Sequence, residues 1–315
     1  MSSWRSTSSV EILKLRAQML IQARAFFHER EIMEVETPLL GLHTVTDPNI
    51  DSLAFTLGET DRFLQTSPEY AMKRLLAFGL SDIYQICKSF RIGESGSLHN
   101  PEFTLIEWYR LGFTLDDIIN DTILLLHALL VDEIEAERIS YDDAFLQHVG
   151  FSLDNISERD IQDFAIENGL MDAHLSSYNQ CVDFVFSQCV VPRFAATVFT
   201  IVTDYPASQA ALARLNQSNS SLSERFEIFF QGIELANGYH ELADEQEQRQ
   251  RFQKDNDQRR KLGKATVNSD QRLLDALRHG LPDCSGVAVG FDRVIMIKAG
   301  VKSISNVMSF DWNSA

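Results

Sequence analysis

The chain has 315 residues, 45 of them acidic and 28 basic, for a formal net charge of −17, and 44% are apolar. A surface of that sign repels polyanions and is short of the phosphate-neutralising groups that dominate nucleic-acid affinity, so nonspecific nucleic-acid binding is disfavoured. The apolar content is ample for a large core, no stretch approaches the roughly 20 apolar residues of a membrane span, and the N-terminal MSSWRSTSSVEILK has no apolar signal core, so a cytoplasmic protein is expected.

Ile12, Leu15, Met19, Ala23 and Phe26 step by three and four, which predicts one amphipathic helix over about residues 9–30. A partly extended segment follows, and Ser67 with Pro68 at the first position opens a second helix. Strands are expected near 83–91 and 102–110, with Arg91 on the incoming one. The loop between them, Ile92 to Asn100, has the Gly and Ser content of a hairpin connection that can fold over a ligand. On the second strand Phe103, Leu105, Glu107 and Tyr109 share one face, and Thr104, Ile106, Trp108 and Arg110 the other. A ring, a carboxylate and a phenol therefore line one surface. Thr114, with Asp116 and Asp117 in the first turn, opens a core helix that carries the longest apolar run, Ile123 to Leu130.

Residues 138–222 carry one clear helix start, Ser157 with Asp160 three residues on, closed by Gly169. The Ser- and Asn-rich run SQAALARLNQSNSSLSE reads as a mobile loop near a site or, more simply, as a solvated connector. In FEIFFQGIELANG, Gln231 and Gly232 fit a two-residue hairpin turn. Pairing Phe230 with Ile233 then sets Phe229 opposite Glu234 and Glu227 opposite Ala236. Glu227 and Glu234 become diagonal neighbours on one face, their Cα atoms about 7 to 8 Å apart. Taken alone, that pair fits either a solvated strand face or a cation site. Asn237, Tyr239 and Glu241 fall on the opposite parity unless Gly238 permits a bulge. From Glu241 to Lys264 a charged helix is predicted, with Glu245–Arg249, Glu247–Arg251 and Asp255–Arg259 at i,i+4 spacing and its charges facing water. Cys87, Cys181, Cys189 and Cys284 show no CxxC pairing and no metal-ligand spacing with the histidines, and read as free core thiols.

The segment FRIGESGSLHNPEFTLIEWY, Phe90 to Tyr109, resembles the second signature motif of class II aminoacyl-tRNA synthetases, and HNPEF followed by ExY resembles their lysyl branch. Residues 26–40, FFHEREIMEVETPLL with Pro38, are similar to the first motif; residues 286–297, GVAVGFDRVIMI with Gly290, Asp292 and Arg293, are similar to the third. LQTSPEYAMKRLL and FEIFFQGIELANGYHEL also look like lysyl-type core segments, so the match covers most of residues 10–310 in the family's order.

The resemblance implies an α+β fold, an antiparallel six- or seven-stranded sheet flanked by helices, in a single catalytic domain over residues 1–315 with an insertion around 138–222. A bacterial lysyl-tRNA synthetase carries a five-stranded anticodon-binding barrel ahead of this core. The 25 residues before the first motif here are too few and too helical for one, so no tRNA anticodon binding is expected. Implied instead is a lysyl-type paralogue that uses ATP and Mg²⁺ to activate β-lysine as an adenylate and passes it to a lysine ε-amine of elongation factor P. It is expected to be a homodimer through the first motif, with no membrane association. Activation of α-lysine for another acceptor is one alternative. A catalytically silent, amino-acid-sensing paralogue is another, disfavoured because Arg91, Arg293, Glu227 and Glu234 are all present.

By the same resemblance Arg91 and Arg293 are the catalytic pair, serving the α- and γ-phosphates. His99 meets the terminal phosphate, and Phe103 stacks on adenine with Arg293 over the other face. Asn100, Glu234, Asn237 and Gly290 complete the ATP site, and Glu227 and Glu234 are the Mg²⁺ ligands. Glu94 takes the adenine amino group, although the family carries glutamate two residues after the arginine, where this chain has Gly93. Glu107 and Glu241 are implied to hold the substrate's side-chain ammonium and Glu69 its other amino group, with Tyr109 and Tyr239 beside them. Ser67 and Ala236 stand where lysyl-tRNA synthetases usually carry alanine and glycine, small changes that favour a β- over an α-amino group.

Overall fold

The computed structural model describes residues 4–130, 133–171 and 177–315. It divides into two compact units, Met1–Asp132 with Glu241–Ala315, and Glu133–His240. The first begins with α1 (Val10–His28), capped by Ser9, whose side chain accepts from the Ile12 N–H. α1 buries Met19, Ala23 and Phe26 of the stripe expected from the three-and-four spacing, together with Phe27, while Ile12 and Leu15 are half-buried. Short strands β1 (Met33–Glu34), β2 (Leu40–Gly41), β3 (Ala54–Leu57) and β4 (Thr60–Leu64) fill the extended segment. α2 (Glu69–Phe78) starts one residue later than expected: Pro68 is the cap and Ser67 lies outside the helix. The hairpin β5 (Ile83–Phe90) and β6 (Glu102–Leu111) pairs antiparallel from Ile83↔Tyr109 to Phe90↔Glu102. Arg91 is therefore the first loop residue, not a strand residue. α3 (Leu115–Leu130) is capped as its sequence predicts, with the Thr114 hydroxyl accepting from the Asp117 N–H and the Asp117 carboxylate from the Thr114 N–H.

The second unit holds β7 (Ala136–Ser140), α4 (Tyr141–Val149), α5 (Glu158–Glu167), α6 (Tyr178–Val185), β8 (Phe199–Pro206), β9 (Leu222–Phe230) and β10 (Ile233–His240). The chain then returns to the first unit with α7 (Glu245–Lys261), α8 (Gln271–Gly280), β11 (Cys284–Gly290) and α9 (Phe291–Ala299).

Within the first unit the strand order is β1-β5-β6-β11, parallel at β1–β5 and antiparallel elsewhere, beside a small antiparallel sheet β2-β4-β3. One face of β6 meets the helices. Phe27 stacks on Tyr84 at 4.1 Å between centroids, and the Trp108 indole donates to Asp121 of α3. Arg16 of α1 ties the Asp292 carboxylate (2.6 Å) to the Thr104 hydroxyl (2.7 Å), and Asp292 also accepts from the Thr104 N–H. One buried carboxylate thus joins α1, the helix that leads into the first signature motif, to β6 and α9 of the second and third. The other face of β6 carries Glu107 and Tyr109.

In the second unit the order is β10-β9-β8-β7, with β7–β8 parallel. The described residues thus place eight strands in the two arrays, against six or seven expected, and the outermost pairings are parallel. The core is aromatic: Tyr141, Phe145, Phe186, Phe194, Tyr205 and Phe229 pack together. The helix starting at Ser157 is present as α5, with Gly169 just beyond its end. α4 and α6 are present as well, and their starts, Ser140 with Asp143 and Ser177 with Gln180, are equally regular caps. Residues 172–176 of the expected insertion lie outside the described residues. The Ser- and Asn-rich run is not a plain solvated connector, because Ala210 and Ala213 are buried and Asn216 accepts from the N–H groups of Ser218 and Asn219.

α7 also departs from expectation. Glu245–Arg249 and Glu247–Arg251 pair along the helix. Asp255 and Arg259 do not: Asp255 accepts from Thr46 at 2.6 Å, and the buried Arg259 reaches Asp51 at 3.1 Å. One face of α7 is packed, with Gln248 and Phe252 buried, so its charges do not simply face water. All four cysteines are free and three are buried, as expected. No helix among the described residues is long and apolar enough to cross a membrane.

Candidate active site

A buried acidic cluster forms where α2, β6 and β11 meet in the first unit. Glu69 opens α2, and Lys73 follows one turn later on the same face. The Lys73 ammonium lies 2.7 Å from Glu69 Oε1 and 2.5 Å from Glu241 Oε2. Glu241 is fixed to β11 by its N–H, which donates to the Cys284 carbonyl. Gly286 lies opposite Tyr109, and a Cβ there would come within 2.4 Å of the Tyr109 ring and 2.7 Å of Glu241 Oε1. Only a residue without a side chain lets the phenol and the carboxylate approach β11 so closely.

Glu107 accepts from the Tyr109 hydroxyl at 2.8 Å through Oε1. Its other oxygen is buried and has no hydrogen-bond partner, and neither has Oε1 of the buried Gln85, the residue directly opposite Glu107 across the hairpin. Two buried acceptors without donors thus sit on one cross-strand pair, a costly arrangement unless a donor-rich ligand joins them. Burial, reinforced by Glu69, pushes the Glu107 carboxyl up to about 8; burial, offset by Lys73, leaves Glu241 raised to about 7. Burial alone would depress Lys73, but Glu241 and Glu69 more than reverse it and the ammonium stays charged. Ser67 is half-buried beside this cluster, its hydroxyl 3.5 Å from the Glu69 nitrogen. Glu69, Glu107, Tyr109 and Glu241 are therefore brought together as expected, while Lys73, Gln85 and Gly286 had not been singled out. For Lys73 a signal existed, its i+4 spacing from Glu69.

The second group in this unit is cationic. The Arg91 guanidinium lies 5.1 Å over the Phe103 ring and 3.8 Å from Glu94, and its Nε is buried without a hydrogen-bond partner. Arg293, in the first turn of α9, meets His99 (Nη2 to Nε2, 2.7 Å) and donates to the Leu98 carbonyl. Gly290 is the cap of α9, where a Cβ would touch the Arg293 side chain. Asn100 is buried and its side chain ties the loop down, donating to the Glu102 carbonyl and accepting from the Trp312 N–H. Arg91, Phe103, His99 and Arg293 present a phenyl ring, an imidazole and two guanidinium groups, the parts needed to face a nucleotide.

In the second unit the β9–β10 hairpin turns at Gln231 and Gly232, both at positive φ, as a two-residue turn requires. Phe230↔Ile233 and Phe229↔Glu234 pair as expected, but Glu227 lies opposite Asn237, not Ala236, because a bulge falls between Glu234 and Ala236. The extra residue reverses the parity beyond it. Glu234, Asn237 and Tyr239 are half-buried on the face of Glu227, while Leu235, Ala236 and Gly238 are buried; the return to one face happens before Gly238, not at it. Glu227 accepts from Arg225 at 2.6 Å, Asn237 at 3.1 Å and Tyr205 at 2.7 Å. Burial raises the Glu227 carboxyl, Arg225 opposes that, and Glu234 adds to it. Arg225 and Tyr205 were not anticipated. Among the described residues no group of three or more His, Cys, Asp or Glu side chains converges as a metal site. Glu227 and Glu234 are nonetheless two hard-oxygen donors on one face, which suits an ion that takes one or two carboxylates and completes its shell with phosphate oxygens and water.

A family model for class II tRNA synthetases (D, K and N) matches residues 1–314. The chain is 42% identical over 320 residues to the elongation factor P–(R)-β-lysine ligase of Vibrio atlanticus, covering 99% of this chain and 98% of that protein. It is 40% identical to the protein of the same name from Avibacterium paragallinarum over 318 residues (99% and 98%) and 42% identical to that of Photobacterium profundum over 316 residues (98% and 97%).

Proposed function

The chain belongs to the class II tRNA synthetases of the D, K and N type and, within them, to the elongation factor P–(R)-β-lysine ligases, and on that premise we propose that it activates (R)-β-lysine with ATP and joins it to a lysine ε-amine of elongation factor P. The observation that carries this reading is the buried acidic cluster. Glu69 and Glu241 share a single ammonium, Lys73, Glu107 takes only the Tyr109 hydroxyl, and two buried acceptors, Glu107 Oε2 and Gln85 Oε1, lack donors. A ligand with two amino groups supplies the missing charge and the missing donors. Glu107 and Glu241 hold its side-chain ammonium and Glu69 the other amino group, with Tyr109 beside them and Ser67 setting where that second amine sits.

In the first step a carboxylate oxygen of β-lysine bonds to the α-phosphorus of ATP and pyrophosphate leaves. Negative charge grows on the equatorial oxygens and the leaving group, so a fixed guanidinium stabilises the transition state more than the ground state. Arg91 serves the α-phosphate, and Arg293 with His99 the terminal phosphate. Phe103 takes adenine, Glu94 its amino group, and Asn100 and Gly290 complete this part of the nucleotide site. Glu227 and Glu234 are the residues that would hold Mg²⁺, which when bound neutralises phosphate charge. In the second step the acceptor amine bonds to the acyl carbon, AMP leaves with the former acyl–phosphate electron pair, and the amine gives up a proton. No tRNA takes part. Met33, Leu39 and Leu40 of the first motif are exposed, which supports a homodimer through that segment. The site of action is the cytoplasm.

Amino-acid-dependent ATP–pyrophosphate exchange without tRNA tests the activation step. Exchange with (R)-β-lysine well above that with α-lysine is expected; none with any diamino acid would remove the proposal.

A further inference from the structure

Lys73 is a poor choice for stability alone. It is 2% exposed, and an ammonium withdrawn from water is commonly no more stabilising than an apolar side chain of its size. Its position is nonetheless specific. It bridges carboxylates from two distant stretches of chain, Glu69 on α2 and Glu241, the residue after β10, at 2.7 and 2.5 Å. Glu107, the third carboxylate, takes the Tyr109 hydroxyl and keeps one oxygen without a donor.

We propose that Lys73 is a positioning residue that orients Glu69 and Glu241 and sets the charge of the acidic pocket to that of a receiver for two amino groups. The inference rests on the reading of this pocket as the amino-acid site. With all three carboxylates ionised against one ammonium the pocket lacks two positive charges, which the two amines of a bound diamino acid supply and one amine does not; without ligand, Glu107 meets part of that deficit by keeping its proton. Without Lys73 the deficit is three, the carboxylates repel one another, and neither Glu69 nor Glu241 has its anchor. The lysine therefore acts on substrate selection through its partners, without contacting the reacting atoms.

The groups that share its surroundings are Glu69 from α2, Cys87 from β5, Glu107 and Tyr109 from β6, Cys284 from β11, and Glu241. The thiols and the phenol are raised by burial, so Glu107 and Glu241 are the groups that titrate near neutrality. Removing the cation raises their titration further, since an opposite charge at contact distance is worth about one to three pH units.

Full-length Lys73→Met and Lys73→Arg, measured by (R)-β-lysine-dependent ATP–pyrophosphate exchange against pH, test this. Breaking a buried pair predicts that K73M raises KM for β-lysine about 10²-fold or more, leaves KM for ATP unchanged, and moves the rise of kcat/KM upward by about one pH unit or more. K73R keeps the charge, so it raises KM but holds the wild-type pH midpoint. A folded K73M with wild-type KM and midpoint overturns the proposal, as does a K73R whose midpoint moves. Should K73M not fold, the K73R midpoint alone decides. The pH dependence of Tm in the ligand-free proteins reads the pocket charge with no substrate at all. There the upward shift is expected in K73M and absent in K73R, whereas equal midpoints in wild type and K73M overturn the role of Lys73 even where no diamino acid is activated. Failure of exchange in the wild type, with that Tm shift present, would instead count against the ligase reading alone.

Discussion

The Glu107 side chain is buried, yet only one of its oxygens has a hydrogen-bond partner in the protein. Its carboxyl, at about 8, is raised far above the ordinary value near 4.3 of an unfolded chain. The folded state therefore binds the proton more tightly than the unfolded one. The stability this contributes is full below about pH 4 and is lost as pH rises toward 8. Tm of the ligand-free protein should accordingly fall across that window, and Glu107→Gln should flatten the fall while abolishing diamino-acid activation. A Glu107→Gln protein with an unaltered Tm profile would show that the carboxyl is not protonated in the fold. On the cationic side, Arg91→Ala should lose about 10² to 10³ in turnover, the scale of removing one transition-state partner; an unchanged rate would take Arg91 out of the mechanism. At this scale Glu69, Glu107 and Glu241 were legible through motif resemblance. Lys73 was not, because Glu69 and Lys73 at i,i+4 look like any helix surface pair until the fold buries them. Gln85 is marked only by its register with Glu107, which a sequence does not state.

Among the elements, β6 was readable outright: a strict alternation sends Glu107 and Tyr109 to one face and Thr104, Trp108 and Arg110 to the other, and the hydrogen bonds of each face agree. β10 was readable only as far as Glu234. A bulge adds one residue without a required residue type, and Gly238, the obvious candidate, lies beyond it. α7 misled because its composition is charged throughout, whereas Arg259 and Asp255 are held by Asp51 and Thr46 from a remote loop. β11 gives the sharpest test of element placement. Gly286→Ala puts a methyl into the Tyr109 ring and against Glu241, so a loss of about 1 to 3 kcal/mol in stability is expected, together with a raised KM for the amino acid. Wild-type stability and KM would mean that β11 does not crowd the pocket. Ala236→Gly, next to the bulge, removes one methyl and should shift kcat/KM toward α-lysine by about 10- to 200-fold; an unaltered ratio would release Ala236 from the choice of isomer.

For the whole molecule, the order of the three motifs revealed the family, and Arg16, Thr104 and Asp292 tie the second and third motifs to the helix that leads into the first. The second unit was harder to read, since its aromatic core is assembled from residues spread between Tyr141 and Phe229 and carries no motif of its own until β9. The charge of −17 and the acid-lined pocket agree with a small diamino substrate and a protein acceptor. Incubation of the full chain with elongation factor P, ATP, Mg²⁺ and (R)-β-lysine, followed by mass spectrometry of the acceptor, tests that most directly. One added β-lysyl group on a single lysine side chain is predicted, with AMP and pyrophosphate released and no requirement for tRNA; an acceptor of unchanged mass, under conditions where β-lysine-dependent pyrophosphate release proceeds, would contradict it.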